Sequence, residues 1–301
     1  MKGVRAALAC VMIGSAWPAA PSFAQVSVAP SAPLVQTESR FAWQPADDRL
    51  RRFTALDTTD GMIVTLLTDR GVVARVRLRR RQDGRITGAE PRSIHYLRDP
   101  DGVPLTGPWR NAQGLGLRDD GVMFVAFEGY GRVWAYDAPD AAAQALPPHR
   151  DFDRLSVGAG LSGVAVGQSG VVFAIPQRPA RMTFGTPSYH FWDGAWEGSF
   201  RLPPDGQFHP VGADIGPDGR LYVLERETGA AGHRIQVRRF VLQGSRIDGG
   251  TLVMRGDPGQ FGALSGLSVW RGREGKIRLL MVEYATEPAP VSNIVEILLP
   301  G

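Results

Sequence analysis

One pattern recurs along this chain of 301 residues and restricts its fold more than any other feature. A small-residue turn containing glycine is followed by five or six β-prone residues, and the run closes on a polar side chain. The pattern occurs at Asp60-Gly61 to Leu67, Asp120-Gly121 to Phe127, Ser169-Gly170 to Ile175, Asp218-Gly219 to Leu224, and Gly275 to Val282. The turn glycines are 60, 49, 49 and 56 residues apart. Asp-Gly between apolar runs signals a tight hairpin, because glycine adopts positive φ at no steric cost. A strand of small residues precedes four of the five turns: Gly114-Leu115-Gly116-Leu117, Gly163-Val164-Ala165-Val166, Gly212-Ala213-Asp214-Ile215 and Gly266-Leu267-Ser268-Val269.

Further strand-like runs, at Gly131 to Tyr136, Tyr189 to Trp192 and Ile235 to Leu242, leave room for about four strands per repeat. A period near 50 residues in an all-β chain indicates a β-propeller, since sandwiches and β-helices repeat at shorter spacing. A four-stranded blade cannot bury both faces alone, so blades stack radially and cover one another. Small-residue strands suit the crowded axis, where backbones approach closely. Five repeats are visible, and the long 61–121 interval has room for a divergent sixth, so five or six blades are expected. Asn293 to Leu299 is expected to close the ring against Phe41 to Trp43.

The chain divides into a leader at 1–24, a flexible lead-in at 25–40 and the propeller at 41–301. Lys2 and Arg5, the apolar run Ala6 to Trp17 and the small residues Ser22-Phe23-Ala24 read as a secretory signal, so a periplasmic or secreted location is expected. No stretch reaches the roughly 20 apolar residues that span a bilayer. The sole cysteine, Cys10, falls in the leader. That excludes a disulfide framework, a thiolate zinc site and a cysteine nucleophile from the mature chain. Without the leader, 32 basic side chains face 30 acidic ones, which gives no argument for a nucleic-acid partner. A monomer is expected.

Each repeat ends its apolar strand on a polar residue: Asp69, Glu128, Gln177, Glu225 and Glu283. In a propeller, equivalent positions converge on one mouth of the central channel. Two carboxylates roughly 7 Å apart at an effective dielectric near 20 repel by about 2 kcal/mol. Three readings compete: strand ends that meet solvent, an ion-pair ring with Arg70 and Arg226, and a metal or substrate site. Asp214 stands apart, because an acid in a small-residue inner strand either faces the channel or is costly to bury.

Other constellations are missing. There is no Gly-x-Ser-x-Gly elbow, Walker loop or dinucleotide fingerprint. His95, His149, His190, His209 and His233 show no paired metal spacing. Asp99-Pro100-Asp101-Gly102 reads as a turn, Arg75 to Arg81 as a solvated outer strand, and Tyr189 to Trp196 as an aromatic hairpin.

The runs Asn111-Ala112-Gln113-Gly114-Leu115, Phe127-Glu128-Gly129, Arg132-Val133-Trp134-Ala135-Tyr136, Thr68-Asp69-Arg70-Gly71 and Gly212 to Arg226 resemble the bacterial phytase-like propellers labelled "esterase-like activity of phytase". The likeness spans about residues 41–299. It implies an exported phosphoester or ester hydrolase assisted by calcium or another divalent cation. Asp69, Glu128, Asp214 and Glu225 would hold the metal, Asp214 and Glu225 would serve catalysis, and Arg70 and Arg226 would bind a small anionic substrate. Gln113, Ser162, Gln177 and Ser265 stand where the family usually carries glutamate. The alternative is a non-catalytic propeller that binds a ligand or protein in the cell envelope.

Overall fold

Each small-residue run pairs with the fuller apolar run across its glycine turn, and in the computed structural model every such pair opens a four-stranded antiparallel blade. The structure describes residues 37–155, 158–179, 184–244, 246–285 and 291–300; the leader and most of the lead-in lie outside them. Blade 1 runs through Phe53–Asp57, Ile63–Thr68, Val72–Arg80 and Ile86–Tyr96. Blade 2 comprises Ala112–Leu117, Met123–Phe127, Arg132–Tyr136 and the short Gln144–Ala145. Blade 3 is built from Leu161–Val166, Val172–Pro176, Thr186–Trp192 and Ala195–Leu202. Blade 4 holds His209–Ile215, Leu221–Gly229, Gly232–Phe240 and Thr251–Arg255, with a hairpin of Leu242–Gln243 and Arg246–Ile247 inserted before its last strand.

Blade 5 takes Leu264–Arg271, Ile277–Glu283 and Ser292–Leu298 from the C-terminal part of the chain, and its outer strand, Thr37–Trp43, from the N-terminal part. The closure runs from Thr37 opposite Leu298 to Trp43 opposite Ser292, the pairing expected for Phe41 to Trp43. Of the two blade counts, five is observed. The long 61–121 interval is filled by strands of 9 and 11 residues in blade 1, not by a sixth blade.

Buried apolar residues fall into five clusters, each between two neighbouring blades. Strand alternation explains the division. In blade 2, Met123, Val125 and Phe127 pack against blade 1, while Phe124 and Ala126 pack against blade 3. In blade 4, Leu221 and Val223 face blade 3, while Tyr222 and Leu224 face blade 5. Each fully buried side chain of this size contributes roughly 1.5–3 kcal/mol, so loss of one blade uncovers both neighbours.

Around the axis, contact is backbone to backbone. A Cβ added to Gly266 would lie 2.6 Å from Ala55 Cα, and one on Gly212 would lie 3.1 Å from Gly266 Cα. Hydroxyls bridge the same interfaces: Thr54 Oγ1 donates to Ala112 O at 2.9 Å, Ser162 Oγ to Pro210 O at 2.9 Å, and Ser265 Oγ to Phe53 O at 3.0 Å. Ser162 and Ser265 therefore tie blades together at positions where the sequence comparison expected acids. Gln113 Nε2 instead donates to Asn111 Oδ1 in its own blade, at 2.7 Å.

The turn glycines separate two effects that sequence alone merges. Gly61 and Gly121 both hold positive φ, 66° and 92°. A Cβ on Gly61 would enter the Trp270 ring at 2.2 Å, whereas one on Gly121 meets nothing within 4 Å. In urea unfolding, Gly121→Ala is expected to cost about 1 kcal/mol from backbone strain, and Gly61→Ala about 3 kcal/mol or more. Equal losses would contradict the packing of Trp270 on this turn.

Candidate functional site

The channel has two mouths. The inner strands begin, and the second strands end, at one of them, called here the vestibule; the inner strands end at the far mouth. Each inner strand carries an irregularity at which two residues oppose one, after the first ladder pair in blades 1 to 3 and after the second in blades 4 and 5, so the backbone bonds at the strand ends give the alignment. Asp69 N donates to Arg52 O, Glu128 N to Asn111 O, Gln177 N to Gly160 O and Tyr284 N to Ala263 O, while Arg226 pairs with His209. The equivalent positions are therefore Asp69, Glu128, Gln177, Arg226 and Tyr284, each on the strand face that packs against the following blade. Glu225 and Glu283 sit one residue earlier and face the preceding blade. A shift of one residue in a strand reverses the side chain, so the acids expected as one ring divide into two sets.

At the vestibule, the Asp69 side chain is 9% exposed. Its Oδ2 accepts from Arg52 Nε at 2.7 Å and from the Tyr284 hydroxyl at 2.8 Å, and Arg52 lies over the Tyr284 ring at 5.1 Å. Burial and the Asp69 charge push the Tyr284 phenol up to about 12. Asp69 Oδ1 is buried, and no described residue hydrogen-bonds it. Arg52, a non-glycine residue with φ of 59°, is held protonated by Asp69. Glu128 accepts from Asn111 Nδ2 at 2.9 Å and from Gly158 N.

Arg226 belongs to the same set. Its guanidinium donates to Leu264 O of blade 5 at 3.2 Å, and no carboxylate among the described residues pairs with it. Burial draws its pKa downward, which records the cost of holding the charge out of water. Arg70 is half-exposed beside Tyr284. Glu225 is 1% exposed and turned away, into the seam with blade 3. Arg238 holds it through bonds of 2.7 and 2.5 Å, and Gln236 Nε2 donates to it at 2.8 Å. Glu283 accepts from Asn293.

Asp214 lies at the far mouth, beside a cavity of about 420 Å³ that Asp57 also lines. Asp57 and Asp214 occupy one register in blades 1 and 4, with Ser268 at that register in blade 5. Each reaches the backbone of the next blade. Asp57 Oδ2 accepts from Leu117 N at 2.7 Å, Asp214 Oδ2 from Val269 N at 2.6 Å, and Ser268 Oγ from Thr58 N at 3.0 Å. Ser268 also donates to Asp57 Oδ1 at 2.8 Å. Desolvation raises the Asp57 carboxyl to about 6. Desolvation, then repulsion from Asp57, raises Asp214 well above the carboxylate range. Sequence reading singled out Asp214 and missed Asp57, although the same signal, an acid in an inner strand, marks both.

Asp69, Glu128 and Arg226 follow the second strands at one end of the ring, each toward its next blade, while Asp214 lies at the other end and Glu225 faces the preceding blade. A calcium ion takes six to eight oxygen ligands. Asp69 Oδ2 and both Glu128 oxygens already accept hydrogen bonds, which leaves Asp69 Oδ1 as the uncommitted carboxylate oxygen in this set. Among the described residues no three His, Cys, Asp or Glu side chains gather as a ligand set. These four acids do not fit one shared cation.

The far-mouth pair has a pH consequence. A carboxyl raised by folding favours the protonated native state, so its contribution is fully present below about pH 4 and declines as pH rises toward 6. The Asp57→Asn/Asp214→Asn double variant is expected to gain on the wild type between pH 4 and 6.5, by on the order of 2–3 kcal/mol. Urea midpoints across that range measure the difference. A difference independent of pH would contradict the assignment.

Similarity to known proteins bears on the fold and the family. The catalytic domain of a Coprinopsis cinerea GH62 α-L-arabinofuranosidase superposes with a TM-score of 0.52 at 10% identity, covering 88% of this chain and 98% of that one. A protein of unknown function from Dyadobacter fermentans gives 0.48 at 13% identity, covering 88% and 86%. Virginiamycin B lyase from Staphylococcus aureus gives 0.41 at 12% identity, covering 85% and 74%. At these identities the likeness concerns the fold alone. None of the curated proteins matches the sequence. The family model "Phytase-like: Esterase-like activity of phytase" matches residues 49–282, most of the chain, which therefore belongs to that family.

Proposed function

We propose that this protein is an exported phytase-like propeller that takes a small anionic ligand, a phosphate or carboxylate ester, into the vestibule. Arg226 and Arg70 are its anion-binding residues, and Tyr284 and Arg52 complete the rim. The observation that carries this reading is Arg226. A half-buried guanidinium whose one partner among the described residues is a backbone carbonyl is poised for an anion. Its planar donors match the two oxygens of a phosphate or carboxylate, and charge-assisted bonds of that kind contribute roughly 1.5–3 kcal/mol.

A second reading, hydrolysis of the bound ester, is favoured by Asp69. No described residue donates to one of its oxygens, which can accept a hydrogen bond from a ligand hydroxyl or a water molecule. Asp69 and Glu128 would then be the proton acceptors near the ester.

Calorimetric titration of the mature chain with sodium phosphate tests the first reading. Arg226→Gln is expected to weaken binding about tenfold, the equivalent of about 1.4 kcal/mol. Unchanged affinity would remove Arg226 from the site. Release of nitrophenolate from 4-nitrophenyl phosphate or 4-nitrophenyl acetate, with calcium and with a chelator, tests the second. Turnover lost in Asp69→Asn supports hydrolysis, and no turnover under either condition discards it.

A further inference from the structure

The parity that turns Glu225 toward blade 3 places it among the residues lining a cavity of about 460 Å³ between blades 3 and 4. Leu202, Pro203, Phe208 and Pro210 supply apolar walls, and Arg178 and His209 stand among the lining residues. The acids near this cavity are neutralised. Glu225 is bound on both oxygens by Arg238, which also donates to Pro203 O at 2.8 Å. Asp205 pairs with Arg255 at 2.6 Å and accepts from Gln236 at 3.0 Å. Arg178 is different. It is exposed, its guanidinium pairs with no described residue, and its charge, after burial, helps draw the His209 pKa downward. The seam therefore presents one uncompensated cation at an apolar chamber whose own acids are paired.

We infer that the cavity between blades 3 and 4 is a second recognition site, for a small anion carrying an apolar group: Arg178 takes the phosphate or carboxylate, and the Leu202, Pro203, Phe208 and Pro210 walls take an aryl or short acyl group. The volume lies within the range of small-molecule pockets, about 300–1,000 Å³, and the lining follows their usual pattern of apolar walls with a few polar groups. A ligand made of phosphates alone would leave those walls in water, so the site discriminates against it. The site lies at the same end of the ring as the vestibule but on a different seam, because Arg226 faces blade 5 and Arg178 borders the seam of blades 3 and 4.

The test is calorimetry on the mature chain with four probes: inorganic phosphate, phenyl phosphate, benzoate and benzyl alcohol. Phenyl phosphate or benzoate is expected to bind at least tenfold more tightly than inorganic phosphate, and benzyl alcohol more weakly than either anion. The relative affinities of phenyl phosphate and benzoate identify which anion the site prefers. Arg178→Gln removes the charge, and Thr186→Trp, at a lining residue, fills the chamber. Each is expected to reduce phenyl phosphate affinity about tenfold while leaving inorganic phosphate binding unchanged. Arg178 is exposed, so its variant remains informative if Thr186→Trp does not fold. Phenyl phosphate binding that ignores Arg178→Gln, or that is matched by benzyl alcohol, overturns the proposal. Loss of inorganic phosphate binding in Arg226→Gln with phenyl phosphate retained supports it; phenyl phosphate binding lost in Arg226→Gln but kept in Arg178→Gln overturns it. Failure of the vestibule reading is distinct, since that would appear as inorganic phosphate binding indifferent to Arg226.

Discussion

Every blade must bury both of its faces, and the second strand of each blade does this by alternation. Odd and even residues of one strand serve two different interfaces, as Met123 and Phe124 do in blade 2. The ring closes because five such strands divide their side chains in the same way. The outer strand of blade 5, supplied from Thr37–Trp43, completes the last interface by pairing the two ends of the described chain. This constraint also reaches the site, since whichever residue ends the strand inherits the face dictated by its parity.

That inheritance accounts for most of the electrostatics. Arg226 faces blade 5 with a carbonyl as its partner, and its neighbour Glu225 faces blade 3 in a closed pair with Arg238. A buried pair of this kind gains little net stability, because desolvation offsets attraction, yet removal of either partner would strand a charge. At the far mouth the same geometry turns two acids into cross-blade acceptors. Asp57 and Asp214 are held by backbone N–H groups of the following blades. Their raised pKa values reflect the burial that this tie demands. The two ends of the channel therefore differ in character: one carries arginines beside Asp69 and Glu128, the other the buried acids Asp57 and Asp214.

The fold was largely legible in the sequence, because its signals are local and repeat. Gly61, Gly121, Gly170, Gly219 and Gly275 all take the positive φ expected of the turns. The close approach of Gly212 to Gly266 explains why the inner strands are small. The acids were harder to place. Counting from the turn glycine put Glu225 and Glu283 level with Asp69 and Glu128, but the second strands differ in length, and a count that drifts by one residue reverses a side chain. The apolar residues before the strand end carried the missing signal: Leu221 and Val223 share a face with Glu225, as Met123, Val125 and Phe127 share the face opposite to Glu128. Arg52, Asp57, Ser268 and Tyr284 went unnoticed because their roles depend on partners in other blades, such as the 215 residues that separate Tyr284 from Asp69.

The central claim is that strand parity turns Arg226 toward blade 5 and Glu225 toward blade 3. A crystal structure of the propeller, residues 37–301, soaked in tungstate reads this directly through anomalous scattering. The account predicts the Arg226 guanidinium turned toward blade 5 with a tungstate peak beside it, and Glu225 closed on Arg238 in the seam. Glu225 turned toward blade 5, with Arg226 in the seam of blades 3 and 4, would contradict it.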